Sequence, residues 1–314
     1  MNLNITTTVF GDSYLTFLYA LIGSLEQNIV NYKLYVFYKD INVKNIEKIQ
    51  SHRIDFIDLN SIKFKNISTI NHLISSKIYL WREALNYLPD GETVIFLDTD
   101  TIINKNPINS LGFDFNILFT IKNERFPINT GVIIVKNNLF TKSFIDKWAA
   151  RTIEIIEDEN LLDIAISKRQ PYGGADQMSF YEMVNFNTYE NPLIAQKSQN
   201  KIFTLECSKF NQTNSVKVDK DTFIYHFKGA WHNVIINGGT FTFKRNFMQS
   251  KEMLIMFNRH LSYFSRNFNF SNNYTKLSLN YFDFEKNSIN YFKYYYLLIF
   301  NYLGKVKTRL INLI

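Results

Sequence analysis

The first third of the chain alternates between short apolar runs and segments of helical spacing, and this alternation constrains the fold more than any other feature. Asn4–Phe10, Lys33–Tyr38, Arg53–Leu59 and Val94–Leu97 are apolar, β-branched-rich runs of strand length. Between them, Ser13–Gln27 reads as an apolar helix and Val43–Gln50 as a polar one. His72–Leu88 places Leu73, Ile74, Ile78, Leu80, Trp81 and Leu85 at helical spacing, and Pro89-Asp90-Gly91 ends it. Strand and helix in this order predict an α/β fold with a mostly parallel sheet and helices on both faces. Further along the pattern loosens. Strands are expected at Asn116–Ile121, Gly131–Lys136 and Thr222–Phe227, and helices at Leu139–Arg151 and Gly174–Val184.

The fourth strand delivers chemistry. Val94-Ile95-Phe96-Leu97 runs directly into Asp98-Thr99-Asp100, and Ile102-Ile103 follow. Ligands of open α/β sheets bind at the carboxyl ends of the strands. Two carboxylates one residue apart repel unless a cation neutralises them, and hard divalent ions with oxygen ligands suit such a pair. The competing reading is a solvated Asp-x-Asp turn, the commoner meaning of a pattern this short.

The chain has 314 residues, of which 46% are hydrophobic and 20% charged, enough for one large or two modest cored domains. Cys207 is the single cysteine, which excludes an internal disulfide and fits a reducing, cytoplasmic compartment. Met1 to Phe10 has no basic region ahead of a long apolar core, so no signal peptide is expected. In that setting Asn-x-Ser/Thr triplets such as Asn211-Gln212-Thr213 carry no meaning as glycan acceptors. A net charge of +7 favours an anionic partner without choosing among nucleotide phosphates, anionic membrane and nucleic acid.

The tail differs from the rest. Residues 286–314 carry Lys286, Lys293, Lys305, Lys307 and Arg309 with no acidic residue, around Tyr294-Tyr295-Tyr296-Leu297-Leu298-Ile299-Phe300. The apolar core is too short to span a bilayer, which takes about 20 residues. An aromatic, basic segment suits an interfacial anchor on an anionic surface, and the alternative is a terminal helix packed on the domain. The division expected is a catalytic domain at 1–240, with a donor-binding half at about 1–103, and a helical carboxy-terminal extension at 241–314.

Four more segments join the aspartate pair: Val9-Phe10-Gly11-Asp12-Ser13-Tyr14, Ile128-Asn129-Thr130-Gly131-Val132, Gly173-Gly174-Ala175-Asp176-Gln177 and His226-Phe227-Lys228-Gly229-Ala230-Trp231-His232. Their order over residues 5–235 resembles the GT-A nucleotide-sugar transferases. The resemblance is to glycosyltransferase family 8, the retaining family that contains glycogenin and bacterial lipooligosaccharide galactosyltransferases.

That resemblance implies a GT-A fold, Mn²⁺ (or Mg²⁺) as cofactor and a UDP-sugar donor. It assigns Asp98, Asp100 and His226 to the metal, and Phe10, Asp12, Ser13 and Tyr14 to the uridine end, with the Tyr14 ring stacked on the base. Lys77 and Thr99 fall near the donor, and Asn129, Asp176 and Gln177 bind its sugar, Gln177 nearest the anomeric carbon. One departure is plain: the family's phosphate-gripping Lys is His232 here, so Lys228 or His232 takes that role next to Gly229, with Lys228 preferred because it is charged at neutral pH.

The activity implied is transfer of a hexose from UDP-glucose or UDP-galactose to a glycan or lipid-linked hydroxyl with retention, in surface polysaccharide or lipopolysaccharide synthesis, by a protein peripheral to the inner face of the membrane. Three other readings stand beside it. One is a nucleotide-sugar binder with little catalysis. A phosphatase of the haloacid dehalogenase type wants Thr or Val where Ile102 stands. A single-strand nucleic-acid binder suits the aromatics and the charge, but no nucleic-acid motif is present.

Overall fold

The computed structural model describes residues 3–49, 51–59, 70–122, 126–167, 169–184, 201–213, 217–237 and 247–270, with isolated positions between 282 and 299. A seven-stranded sheet forms its centre. The strands are β1 (Leu3–Phe10), β2 (Tyr32–Lys39), β3 (Ile54–Asp58), β4 (Thr93–Asp98), β6 (Ile117–Ile121), β7 (Ile128–Lys136) and β8 (Ile202–Glu206), in the order β3-β2-β1-β4-β7-β6-β8. The pairs β1–β2, β1–β4, β2–β3 and β6–β8 are parallel. β7 runs antiparallel to both of its neighbours. The mostly parallel α/β sheet expected from the alternation is therefore found.

Side chains alternate across a strand, so β4 feeds both faces of the sheet. Ile95 and Leu97 join the core beneath α1 (Leu15–Asn28) and α8 (Phe247–Asn267). Val94 and Phe96 join the core beneath α2 (Ile70–Ala84) and α3 (Leu139–Glu157). Trp81 of α2 stacks on Phe96 with ring centres 5.0 Å apart. A strand covered on both faces has no polar side, which is why Val94–Leu97 is uninterrupted by polar residues. Asn137, fully buried, donates its amide toward the carbonyls of Leu85, Leu88 and Pro89 at 2.9, 2.7 and 3.1 Å. It thereby closes the end of α2 and fixes the turn into β4.

A two-stranded ribbon, β5 (Thr101–Ile103) with β9 (Ile224–His226), leaves the sheet just past Asp100. Its antiparallel register sets Thr101 opposite His226. α1 holds the ribbon down, since Asn28 Nδ2 donates to the Ile103 carbonyl at 2.8 Å and Ser24 Oγ accepts from the Ile103 amide at 3.1 Å.

Two segments differ from the sequence reading. The helix expected at Val43–Gln50 is not formed over its described residues, 43–49: a three-residue 3₁₀ turn, Val43–Asn45, is capped by Asn42, and turns follow. Ile46 and Ile49 are still buried, so the apolar positions do their work without helical backbone. The helix expected to end at Arg151 continues to Glu157, where Asp158 caps a further helix, α4 (Glu159–Ile166).

α8 packs along α1, with Tyr19 and Phe264 stacked at 4.5 Å. Gly23 makes this approach possible, because a Cβ there would stand 2.1 Å from the His260 carbonyl oxygen. His260 itself is fully buried, and neither ring nitrogen is bonded among the described residues. Burial first, and Arg259 second, push its pKa down to about 3. The unfolded chain takes up this proton below pH 6.5 while the folded chain refuses it, so stability falls as pH drops from about 6.5 toward 3, by about 1.4 kcal/mol per unit. Urea denaturation at pH 7.5 and pH 5 is expected to show roughly 2 kcal/mol more acid loss for the wild type than for His260→Phe. Equal acid loss would remove His260 as the cause.

Most of the tail at 286–314, and with it the expected interfacial anchor, lies outside the described residues. Among the described residues no helix is long and apolar enough to cross a membrane.

Candidate metal centre and donor site

Asp98 closes β4, Asp100 sits one residue before the ribbon, and His226 ends β9 opposite Thr101. The ribbon is therefore what closes the long sequence gap between carboxylates and imidazole. His226 Nε2 lies 3.1 Å from Asp100 Oδ1 and 3.7 Å from Asp98 Oδ2. One ligand atom from each residue falls within 4.8 Å of the others. Two carboxylates and an imidazole suit a borderline divalent ion such as Mn²⁺, and also Mg²⁺ with waters added.

Gly131 of β7 forms the floor. A Cβ there would stand 2.3 Å from His226 Cε1 and 2.8 Å from Asp98 Oδ2. The backbone of Gly131 needs no unusual angle; the residue is glycine because His226 and Asp98 occupy the side-chain space. Its amide donates to Asn129 Oδ1 at 3.0 Å, while Asn129 Nδ2 is buried without a partner among the described residues.

Lys77 links this cluster to a second group. Its Nζ is 3.0 Å from Asp98 Oδ1 and 3.3 Å from Asp176 Oδ2, and it is almost fully buried. Burial favours the neutral amine, but the two carboxylates prevail and hold its pKa above the ordinary lysine value. Asp176 also accepts from Thr130 Oγ1 at 2.6 Å. It lies in the first turn of α5 (Ala175–Met183), yet the capping position is Gly174 and its carboxylate is not spent on the helix end. Gln177 sits on the same turn, half-buried, its amide donating to the Gly173 carbonyl at 3.2 Å.

Asp100 is buried and held well below the usual carboxylate range. Burial alone would raise it, and His226 and then His232 outweigh that. His232, on α7 (Ala230–Asn237), places Nε2 2.6 Å from Asp100 Oδ2. Its ring meets Tyr14 edge-on at 5.7 Å and Phe17 at 5.1 Å. Tyr14 is half-buried, and its hydroxyl is pushed up first by burial, then by the charges of Asp100 and Asp98. Lys228, also half-buried, is held below the ordinary lysine value by burial and by Lys122. Gly229 has φ of +66° at the turn into α7.

The remaining expected residues stand further out. Asp12 Oδ1 accepts from the Asn42 amide at 3.1 Å and from Asn45 Nδ2 at 3.2 Å, fastening the loop after β2. Ser13 is exposed and Phe10 half-buried at the end of β1. Thr99 turns its hydroxyl to β1, donating to the Thr8 carbonyl and lying 3.2 Å from the Thr7 hydroxyl. Cys207, first residue of the short helix α6 (Cys207–Phe210), is buried with its thiol on the Asn211 carbonyl.

Sequence reasoning missed Asn211, Thr120 and the role of Gly131. Asn211 Oδ1 lies 2.9 Å from His226 Nδ1. The Asn211-Gln212-Thr213 triplet marked it only as an acceptor pattern without meaning. Nothing local in the sequence reveals a contact made across the fold.

Residues 5–123 match glycosyl transferase family 8, and residues 72–248, more than half of the chain, match the nucleotide-diphospho-sugar transferase family. No curated protein matches the chain in sequence. Among solved structures, the glycosyltransferase GlyE of Streptococcus pneumoniae TIGR4 is 12% identical over 73% of this chain and 55% of its own, with a TM-score of 0.47. The galactosyltransferase LgtC, solved with donor and acceptor sugar analogs, is 14% identical over 72% of this chain and 87% of its own, with a TM-score of 0.46. The bifunctional glycosyltransferase WbbM is 13% identical over 84% of this chain and 50% of its own, with a TM-score of 0.51. The chain thus spans about half the length of GlyE and of WbbM, and nearly all of LgtC. By the match over residues 72–248 the chain belongs to the nucleotide-diphospho-sugar transferases, and its residues 5–123 match glycosyl transferase family 8.

Proposed function

We propose that the protein moves a hexose from a UDP-sugar, UDP-glucose or UDP-galactose, to a hydroxyl of a glycan or glycolipid, with a divalent ion at Asp98, Asp100 and His226. The observation that carries this is the convergence of those three ligands over Gly131, whose missing side chain leaves room for them. Mn²⁺ or Mg²⁺ bound there would act as a Lewis acid that neutralises charge growing on the departing diphosphate.

The chain's own groups divide the remaining work. Tyr14 offers an aromatic face beside the carboxylates for the base. Lys77 balances the charge of Asp98 and of Asp176, and Asp176, Asn129 and Gln177 are the groups proposed to grip the sugar. His232 already contacts Asp100, so Lys228 is the cation proposed for the diphosphate. Burial disfavours its charged form, so an incoming anion is stabilised by it more than it would be in water. Retention at the anomeric carbon rests on the family resemblance. UDP release from UDP-glucose or UDP-galactose should be slow and Mn²⁺-dependent, and metal-independent release would overturn the reading.

We further propose that residues 286–314 hold the protein at an anionic membrane face, on the cytoplasmic side, where a lipid-linked acceptor of surface polysaccharide or lipopolysaccharide synthesis would be met. The five cations and the aromatic run support this. Flotation with vesicles containing about one-third anionic lipid is expected for the full chain and lost on truncation after Glu285; equal flotation of both would refute it.

A further inference from the structure

We propose that Asn211 is a positioning residue for the metal site: it holds His226 with the proton on Nδ1, so that the Nε2 lone pair faces Asp98 and Asp100. This rests on the reading of those three residues as metal ligands.

The amide orientation follows from the network. Thr120 Oγ1 has one proton, and it donates this to the Asn129 carbonyl at 3.0 Å. The Asn211 atom 2.8 Å from Thr120 Oγ1 must therefore be the NH₂ group, which also leans on the Asn129 carbonyl at 3.4 Å. The Asn211 oxygen is then the atom 2.9 Å from His226 Nδ1. An oxygen there only accepts, so Nδ1 carries the proton. The other tautomer would set two lone pairs against each other in a buried site. With Nδ1 protonated, a neutral imidazole has its lone pair at Nε2, the nitrogen that faces both carboxylates.

Asn211 is itself held firmly. It is fully buried, its amide N–H donates to the Cys207 carbonyl at 3.0 Å, and its carbonyl accepts from the Cys207 thiol at 2.8 Å. The next residue, Gln212, exchanges backbone bonds of 3.0 Å with Ile224 and His226, tying the segment to β9. On the far side, the register of β6 against β7 shifts between Phe119 and Thr120, which brings Thr120 opposite Asn129. This break in the ladder thus aims the hydroxyl that orients the amide that orients the ring. Partners of this kind around a metal-binding His are worth roughly 10- to 100-fold in metal affinity.

The test is Mn²⁺ titration of the metal-free full chain without donor, with free Mn²⁺ read by electron paramagnetic resonance. Asn211→Leu should bind Mn²⁺ roughly 10- to 100-fold more weakly. Asn211→Asp keeps an acceptor on Nδ1–H and should stay within about threefold of wild type. Should Asn211→Leu not fold, Thr120→Val removes the hydroxyl that fixes the amide and should weaken Mn²⁺ several-fold. A role confined to packing predicts lower thermal stability with Mn²⁺ affinity unchanged, or equal weakening of the Asp and Leu variants; either result overturns the proposal. His226→Ala separates the two levels. If it loses Mn²⁺ while Asn211→Leu and Thr120→Val do not, only the positioning role falls. If it binds Mn²⁺ like wild type, the metal reading falls and takes this proposal with it.

Discussion

Asp100→Ala is expected to lower Mn²⁺-dependent UDP release by roughly a thousandfold or more, the scale on which loss of charge stabilisation at a reacting phosphate is felt. Of the three proposed ligands, Asp100 has the most to lose. One oxygen lies 3.1 Å from His226 Nε2 and the other 2.6 Å from His232 Nε2, so a single carboxylate faces two imidazoles. Its main-chain carbonyl accepts from the Phe227 amide at 2.7 Å, which fastens the ribbon without the side chain. The substitution should therefore strip the site and leave the backbone in place. Two readouts check it: UDP release with and without Mn²⁺, and Mn²⁺ affinity. Asp100→Asn keeps the shape and removes the charge, so it should lose activity nearly as completely. If either variant retained more than a tenth of wild-type turnover, Asp100 would not hold the metal.

Gly131→Ala is expected to damage the same centre by filling its floor. The added Cβ would meet His226 Cε1 at 2.3 Å and both Asp98 Oδ2 and His226 Nδ1 at 2.8 Å, so the ring or the strand must shift. A shift of about 1 Å at a reacting centre costs on the order of a hundredfold in rate. Overpacking in a close-packed interior adds about 1–3 kcal/mol of lost stability. The displaced ring also leaves the Asn211 oxygen, so Mn²⁺ affinity should fall with the rate. Chemical denaturation, Mn²⁺ titration and UDP release on one preparation check this. Wild-type affinity and rate in Gly131→Ala would mean that the floor yields without cost, and that glycine is there for another reason.

Much of the fold was legible because strand and helix write different periods into the chain. Ile95 and Leu97 point to one core and Val94 and Phe96 to the other, so β4 had to be apolar throughout, and its run is plain in the sequence. The segment 43–50 was misread as a helix because Ile46 and Ile49 satisfy helical spacing equally well from turns. Length did not arbitrate, since an eight-residue segment gives only two turns of pattern.

The site divides in the same way. Asp98 and Asp100 share one strand end, so chain continuity alone puts them together. His226, Lys77 and Asp176 were named from a family resemblance. Their distances come from the β5–β9 register and from α2 and α5 packing against the sheet. Asn211 and Gly131 were not readable as site residues. Their meaning is a contact with His226, and such a contact depends on where β6, β7 and β9 lie in space.

The sequence by itself determined the mostly parallel α/β architecture and the carboxylate pair at the end of its fourth strand, because both depend on neighbours within a few residues. Only the tertiary structure decided which imidazole nitrogen faces those carboxylates, what holds it there and why the floor is glycine. Those are facts about atoms brought into contact by elements far apart along the chain.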